Sequence, residues 1–263
     1  MKYTERRHHS HPCKLLMTNH RESPYICDGC NQIGFGLSFS CERCNYDLHP
    51  DCISASSSMR HPFYKTCNFK FYDSPPGVRE RFCDCCGGDI KGFSYHCYQS
   101  GRDLHPCCSK LPNQIEYEGV KLLLQEKLAS KCSWCGKRRL WDQVTGWSYV
   151  STCDSFQFHV NCVKEMLVKI WESHHFKCVN ASRIEFGDNG HDNRDNGHKK
   201  NLTMERSVVG NRERRIVTGT RIKAKVEKYW RIAKLVMRMI ASAILGDQTS
   251  PTFWLIEYLA SSS

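Results

Sequence analysis

Between Cys27 and Cys52 the chain reads CDGCNQIGFGLSFSCERCNYDLHPDC, a CxxC, ten residues, then CxxCxxxxHxxC. Thiolates paired two residues apart, with an imidazole and a thiolate three apart downstream, are donors at spacings that suit tetrahedral zinc. Ordinary buried cysteines need no such pairing. A unit of about fifty residues buries too little apolar surface to fold on that alone, so metal is the expected staple.

The cysteine distribution divides the 263-residue chain. All 18 cysteines lie between Cys13 and Cys178, and the last 85 residues have none. The opening MKYTERRHHSHPCK has no apolar run of signal-peptide type, and no later stretch reaches the roughly 18 apolar residues of a membrane span. The expected setting is cytoplasmic or nuclear, where thiols stay reduced and bind metal rather than pair. The net charge of +11 is concentrated: Lys199 to Arg238 holds 13 basic residues against Glu205, Glu213 and Glu227. The cysteine-rich part is therefore near neutral and unlike a nucleic-acid-binding array.

Three imperfect copies of one unit follow one another. In the first, residues 8–61, Cys27, Cys30, His49 and Cys52 are expected to hold one ion and His11, Cys41, Cys44 and His61 a second. His8, His9 and His20 are left over, and Gly34 and Gly36 fall in a short strand. The second copy, residues 62–111, keeps one full set in Cys83, Cys86, His105 and Cys108. Ser100 stands where the partner of Cys97 should be, so Cys97 and Cys67 are left to a weakened site, with Cys85 and Cys107 as free thiols. The third, residues 120–178, keeps Cys132, Cys135, His159 and Cys162. Its internal CxxC is missing, Cys153 is one residue out of register, and His174, His175 and Cys178 are expected at the surface. Apolar Val163, Met166, Leu167 and Ile170 have helical spacing and should pack back on the unit.

SHP before the first knuckle, CxxCxxDLHxxC at its close, HPFYKTC between units and CVKEML after the third resemble the plant cysteine/histidine-rich family of divergent C1 domain proteins. That module is related to the phorbol-ester and diacylglycerol-binding zinc domain. The resemblance covers residues 8 to about 172. It implies small β-rich zinc modules in tandem with little regular core, about four zinc ions, and roles in stress or hormone signalling through protein partners rather than catalysis on a small-molecule substrate. Only ten residues separate Cys30 from Cys41, which removes much of one wall of the lipid groove, so diacylglycerol is not the expected ligand.

Residues 180–200, with GDNGHDNRDNGH at their centre, lack large apolar residues and are expected to be a disordered linker. Residues 220–263 are expected to form a basic α-helical tail. There Ile222, Val226, Tyr229 and Ala233 lie along one side of a helix, and Lys223, Arg231, Lys234 and Arg238 along another. Such a helix suits a protein groove, an anionic membrane surface, nucleic acid or the chain's own core. Two other functions compete: a thiol-disulfide oxidoreductase using Cys27/Cys30, Cys83/Cys86 or Cys132/Cys135, and a chromatin-reading finger of the plant homeodomain type. The first lacks a βαβ context, and the second lacks its closing CxxC.

Overall fold

The computed structural model describes residues 4–117, 120–141, 144–152, 156–169 and 171–172. It contains three four-stranded antiparallel sheets in sequence order, each a simple meander. The first is β1 (Glu5–His8), β2 (His11–Ile26), β3 (Ile33–Cys41) and β4 (Tyr46–Leu48), closed by the short helix α1 (Pro50–Ile53). The second is β5 (Ser58–His61), β6 (Tyr64–Tyr72), β7 (Ser94–Cys97) and β8 (Arg102–Leu104), closed by α2 (Pro106–Ser109). The third is β9 (Gln114–Tyr117), β10 (Val120–Gln125), β11 (Ser148–Ser151) and β12 (Gln157–His159), followed by a longer helix, α3, over residues 160–169. The linker and basic tail lie outside the described residues, as do Cys153, His174, His175 and Cys178.

The strand registers make the repeat exact enough to compare residues. Leu16 pairs with Ser40, Lys70 with His96 and Leu123 with Val150. One residue earlier on each second strand stand Leu15, Phe69 and Leu122, all at 0% exposure, so one inward position carries each sheet's centre. Two sheet edges differ from the boundaries expected from sequence. Ser58–His61, placed at the end of the first unit, pairs with β6 of the second sheet, and the third sheet starts at Gln114. In both cases a four-residue hairpin strand precedes the first ligand, too short for its pattern to be told from a loop.

Each CxxC is a turn with the same backbone bonds. The amide three residues beyond the first cysteine's neighbour returns to that cysteine's carbonyl: Asn31 to Cys27 at 2.8 Å, Gly87 to Cys83 at 2.7 Å and Gly136 to Cys132 at 2.9 Å. All three donors have positive φ, of 55°, 68° and 70°, which is why Asn or Gly fills the position. The residue after the first cysteine clamps this turn to the strand that leads to the histidine. Asp28 N donates to Asp47 O while Asp47 N donates to Asp28 Oδ2, and Asp84 and Asp103 repeat the exchange. Ser133 and Gln157 do the same in the third unit.

Successive units join in one way. The carbonyl of Gly29, inside the first CxxC, accepts from Phe93 N at 2.7 Å, and that of Cys85, inside the second, accepts from Trp147 N at 2.8 Å. Phe93 and Trp147 each immediately precede the third strand of the next sheet. A single apolar cluster then runs through the second and third sheets, with Tyr95, Leu104, Trp147, Tyr149, Val163, Met166 and Leu167 buried together. The helical spacing read at Val163, Met166 and Leu167 is thus the inward face of α3. Ile170 is outside the described residues.

A Cβ at Gly92 would run into the Gly29 carbonyl oxygen, a backbone atom that cannot turn aside. Gly92→Ala is expected to loosen the first junction by about 1–3 kcal/mol, the usual cost of overpacking. Denaturant unfolding and protease cleavage between α1 and β5 should report it, with the zinc content unchanged.

Candidate metal centres

Among the described residues, four groups of side chains bring four donor atoms each within 4.8 Å of one another: Cys27, Cys30, His49, Cys52; Cys83, Cys86, His105, Cys108; Cys132, Cys135, His159, Cys162; and His11, Cys13, Cys41, Cys44. In the first three, the knuckle supplies two sulfurs. The imidazole lies just beyond the unit's last strand or at its end, and the last thiol lies in the first turn of the helix that follows. Each histidine turns Nδ1 to the sulfurs. His49 Nδ1 is 3.3 Å from Cys30 Sγ and 3.8 Å from Cys52 Sγ. The matching distances are 3.5 and 3.9 Å at His105, and 3.5 and 3.7 Å at His159.

These distances test the fit to zinc. Zinc–sulfur bonds of about 2.3 Å and zinc–nitrogen bonds of about 2.0–2.1 Å give a tetrahedron with S···N edges near 3.6 Å and S···S edges near 3.8 Å. The observed S···N separations straddle the first value, and Cys13 Sγ to Cys44 Sγ, at 3.8 Å, equals the second. His105 Nε2 donates to Asp89 O at 3.0 Å, which fixes the tautomer that leaves Nδ1 as the ligand. In the remaining group His11 Nε2 is buried without a hydrogen-bond partner. Three thiolates and one imidazole are the soft donor set of a structural zinc site.

The electrostatics point the same way. Burial opposes the Cys27 thiolate, yet hydrogen bonds from Cys30, Cys52 and His49 outweigh it and hold this thiol far below its ordinary range. Hydrogen bonding from Cys162 brings Cys132 down to about 3 against the cost of burial. Burial would lower His105, but the Cys86 and Cys108 thiolates raise it to about 10. The neighbouring sulfurs move the other way: hydrogen bonding to Cys27 pushes Cys52 up, and hydrogen bonding to Cys132 pushes Cys162 up, so three thiolates can share such a site only with a cation among them.

Two expected ligands are corrected. His61 belongs to no group. It sits on β5 of the second sheet, stacked on Trp147 with ring centroids 4.4 Å apart, and burial lowers its pKa to about 4. Cys13 takes its place: it lies on β2 two residues after His11, hence on the same face, beside the end of β3 that carries Cys41. The motif His-Pro-Cys was the available signal. Cys97 also lies outside the four groups, in contact with Cys67 and Ser100. In the third unit Ser151 pairs with Leu122, the register that Cys41 holds in the first, so the second donor set is not repeated there.

Of the spare histidines, His20 meets Ser38 at 2.8 Å and Asp47 at 3.2 Å, and His9 meets Asp73 at 2.7 Å. Sequence reading also passed over Lys164. From α3 its ammonium donates to Cys108 Sγ at 3.5 Å. Burial works against this charge, but attraction to Cys108 and Cys86 foremost outweighs it and pushes its pKa well up. Three thiolates and a divalent ion leave a net charge of −1, which Lys164 balances while tying α3 to the second site. Cys107 packs against the apolar clusters of both the first and the second units and so lies between their two sites.

Residues 6–53 match the C1 domain family. The protein described as Probable nucleoredoxin 3, from Arabidopsis thaliana, is 39% identical over 51 residues, which is 19% of this chain and 12% of that protein's length. No solved structure matches the chain. The first unit is therefore a C1 domain, and the two sheets after it repeat its strand order and its CxxC–HxxC site. The chain is cysteine/histidine-rich, with a C1 domain at residues 6–53 and donor sets of three cysteines and one histidine that suit about four zinc ions.

Cys13→Ser is expected to lower the zinc count in native mass spectrometry from about four to about three, whereas His61→Asn should leave about four. The opposite pattern would restore His61 as the ligand.

Proposed function

We propose that the chain is an interaction protein of plant stress or hormone signalling, whose zinc modules are scaffolds that present surface loops and the basic tail to protein partners. The observation that carries this reading is the completeness of the four donor sets. A zinc ion with four protein ligands lacks the open position that a hydrolytic site keeps for water. Lys164 and the clamped knuckles add rigidity where a reaction would need access.

The setting proposed is cytoplasmic or nuclear, because thiolate ligands need a compartment that keeps them reduced. Residues 180–200 would tether the tail, whose basic helix suits a protein groove first and an anionic membrane or nucleic acid second. Diacylglycerol fits poorly. β3 begins at Ile33, three residues after Cys30, and pairs at once with Ile26, so the interval that would wall a lipid groove is taken up by sheet.

The named relative favours one second reading, thiol-disulfide exchange at the CxxC pairs. Its match spans 51 residues, about the length of one zinc unit, which suits a shared module. In this chain each CxxC is committed to a donor set with its own HxxC. The zinc-loaded chain is expected to capture a partner that is lost on chelation and to reduce insulin no further than its own thiols allow. Catalytic insulin reduction by the zinc-loaded chain would contradict the interaction reading.

A further inference from the structure

The second sheet repeats the positions of the His11, Cys13, Cys41, Cys44 site but not its residues. With Lys70 opposite His96 as Leu16 is opposite Ser40, Cys97 takes the register of Cys41, and Cys67 that of Cys13. Ser100, whose Oγ is 3.0 Å from Cys67 Sγ, replaces Cys44. At the hairpin tip His61 pairs with Tyr64 as His8 pairs with His11, so Tyr64 replaces the histidine ligand. Its hydroxyl is engaged by Trp147 Nε1 at 2.9 Å, and its ring is covered by the Arg102 guanidinium at 4.2 Å. In the first sheet Tyr46, at the register of Arg102, stacks on His11 at 4.3 Å. A nitrogen donor and a sulfur donor have gone, and a fixed cation stands nearby. The backbone turn persists, with Gly101 N donating to Cys97 O at 2.8 Å and a φ of 68° at Gly101.

What remains is two thiols on one sheet face, held together by the geometry of a zinc site that can no longer close around zinc. We infer that Cys67 and Cys97 form an oxidisable dithiol, a modification site whose co-reactant is a peroxide. Residue exposures of 4% and 0% place both thiols under a thin cover that includes exposed Ser100, which favours a small oxidant over a bulky disulfide. The two sulfurs differ. Burial opposes ionisation of Cys97, but hydrogen bonds from Ser100 and Cys67 and from the amides of Ser100 and Gln99 lower its pKa. Burial raises that of Cys67. Cys97 is thus the attacking sulfur: its thiolate takes one oxygen of hydrogen peroxide, the O–O bond breaks, and hydroxide leaves and is protonated to water. Cys67 Sγ then attacks the sulfenic sulfur, the S–O bond breaks, and a second water departs with the Cys67 proton. Two thiols lose two electrons and two protons, and one peroxide becomes two waters.

The test uses the full zinc-loaded chain, treated with one to ten equivalents of hydrogen peroxide. Free thiols are alkylated, digests are mapped by mass spectrometry, and released zinc is followed by a colorimetric chelator. The Cys67–Cys97 cross-linked peptide is expected to form at least about tenfold faster than zinc is released. Cys67→Ser should leave a sulfenic acid on Cys97 that a dimedone-type probe traps. Oxidation of the zinc-ligand cysteines, with zinc loss, while Cys67 and Cys97 stay alkylatable would overturn the inference. So would an additional zinc ion in the wild-type chain that Cys97→Ser removes. Because the wild-type map decides by itself, the test stands even if a variant folds poorly.

Discussion

Four short strands in a sheet, with one inward position such as Leu15, Phe69 or Leu122 at the centre, do not make a stable domain, and every unit depends on the sulfur–zinc–nitrogen tetrahedron beside it. The metal joins points that the sheet alone leaves apart: the CxxC turn, the end of the last strand and the first turn of a helix. Structural zinc contributes about 10–16 kcal/mol in small fingers at neutral pH. That is large beside the small net stability left to a unit this size by apolar burial alone. The positive-φ residues Asn31, Gly87 and Gly136 and the clamps made by Asp28, Asp84 and Ser133 hold the sulfurs of each knuckle at ligand spacing in the folded unit.

The same turns also build the array. Gly29 and Cys85, each between the two ligands of a knuckle, accept the backbone bond that seats the next sheet, so metal binding in one unit orders the docking of its neighbour. In the third unit that position is Trp134, 45% exposed, with the Lys169 ammonium 5.8 Å from its ring centre. Lys164 adds the converse link, from the third unit's helix back to the second unit's sulfur.

Much of this was legible in the sequence because the CxxC and HxxC pairs are local. Two ligands three residues apart can be recognised without knowing the fold, so three donor sets could be read directly. The fourth depends on hairpin register. His61 looked like a ligand because it follows Cys52 at a plausible distance, yet its partner at the hairpin tip, Tyr64, makes it the counterpart of His8, not His11. Cys13 was passed over because a strand places i and i+2 on one face, and β2 was not read as a strand. Lys164 was invisible for a different reason: its partner, Cys108, lies in another unit.

Zinc K-edge X-ray absorption on the reduced full-length chain measures the donor sets directly. Four sites of three cysteines and one histidine predict an average first shell of about three sulfurs near 2.3 Å and one nitrogen near 2.0 Å, with no water oxygen. An oxygen in the shell, or a sulfur count near two, would contradict closed structural sites and with them the reading of these modules as scaffolds.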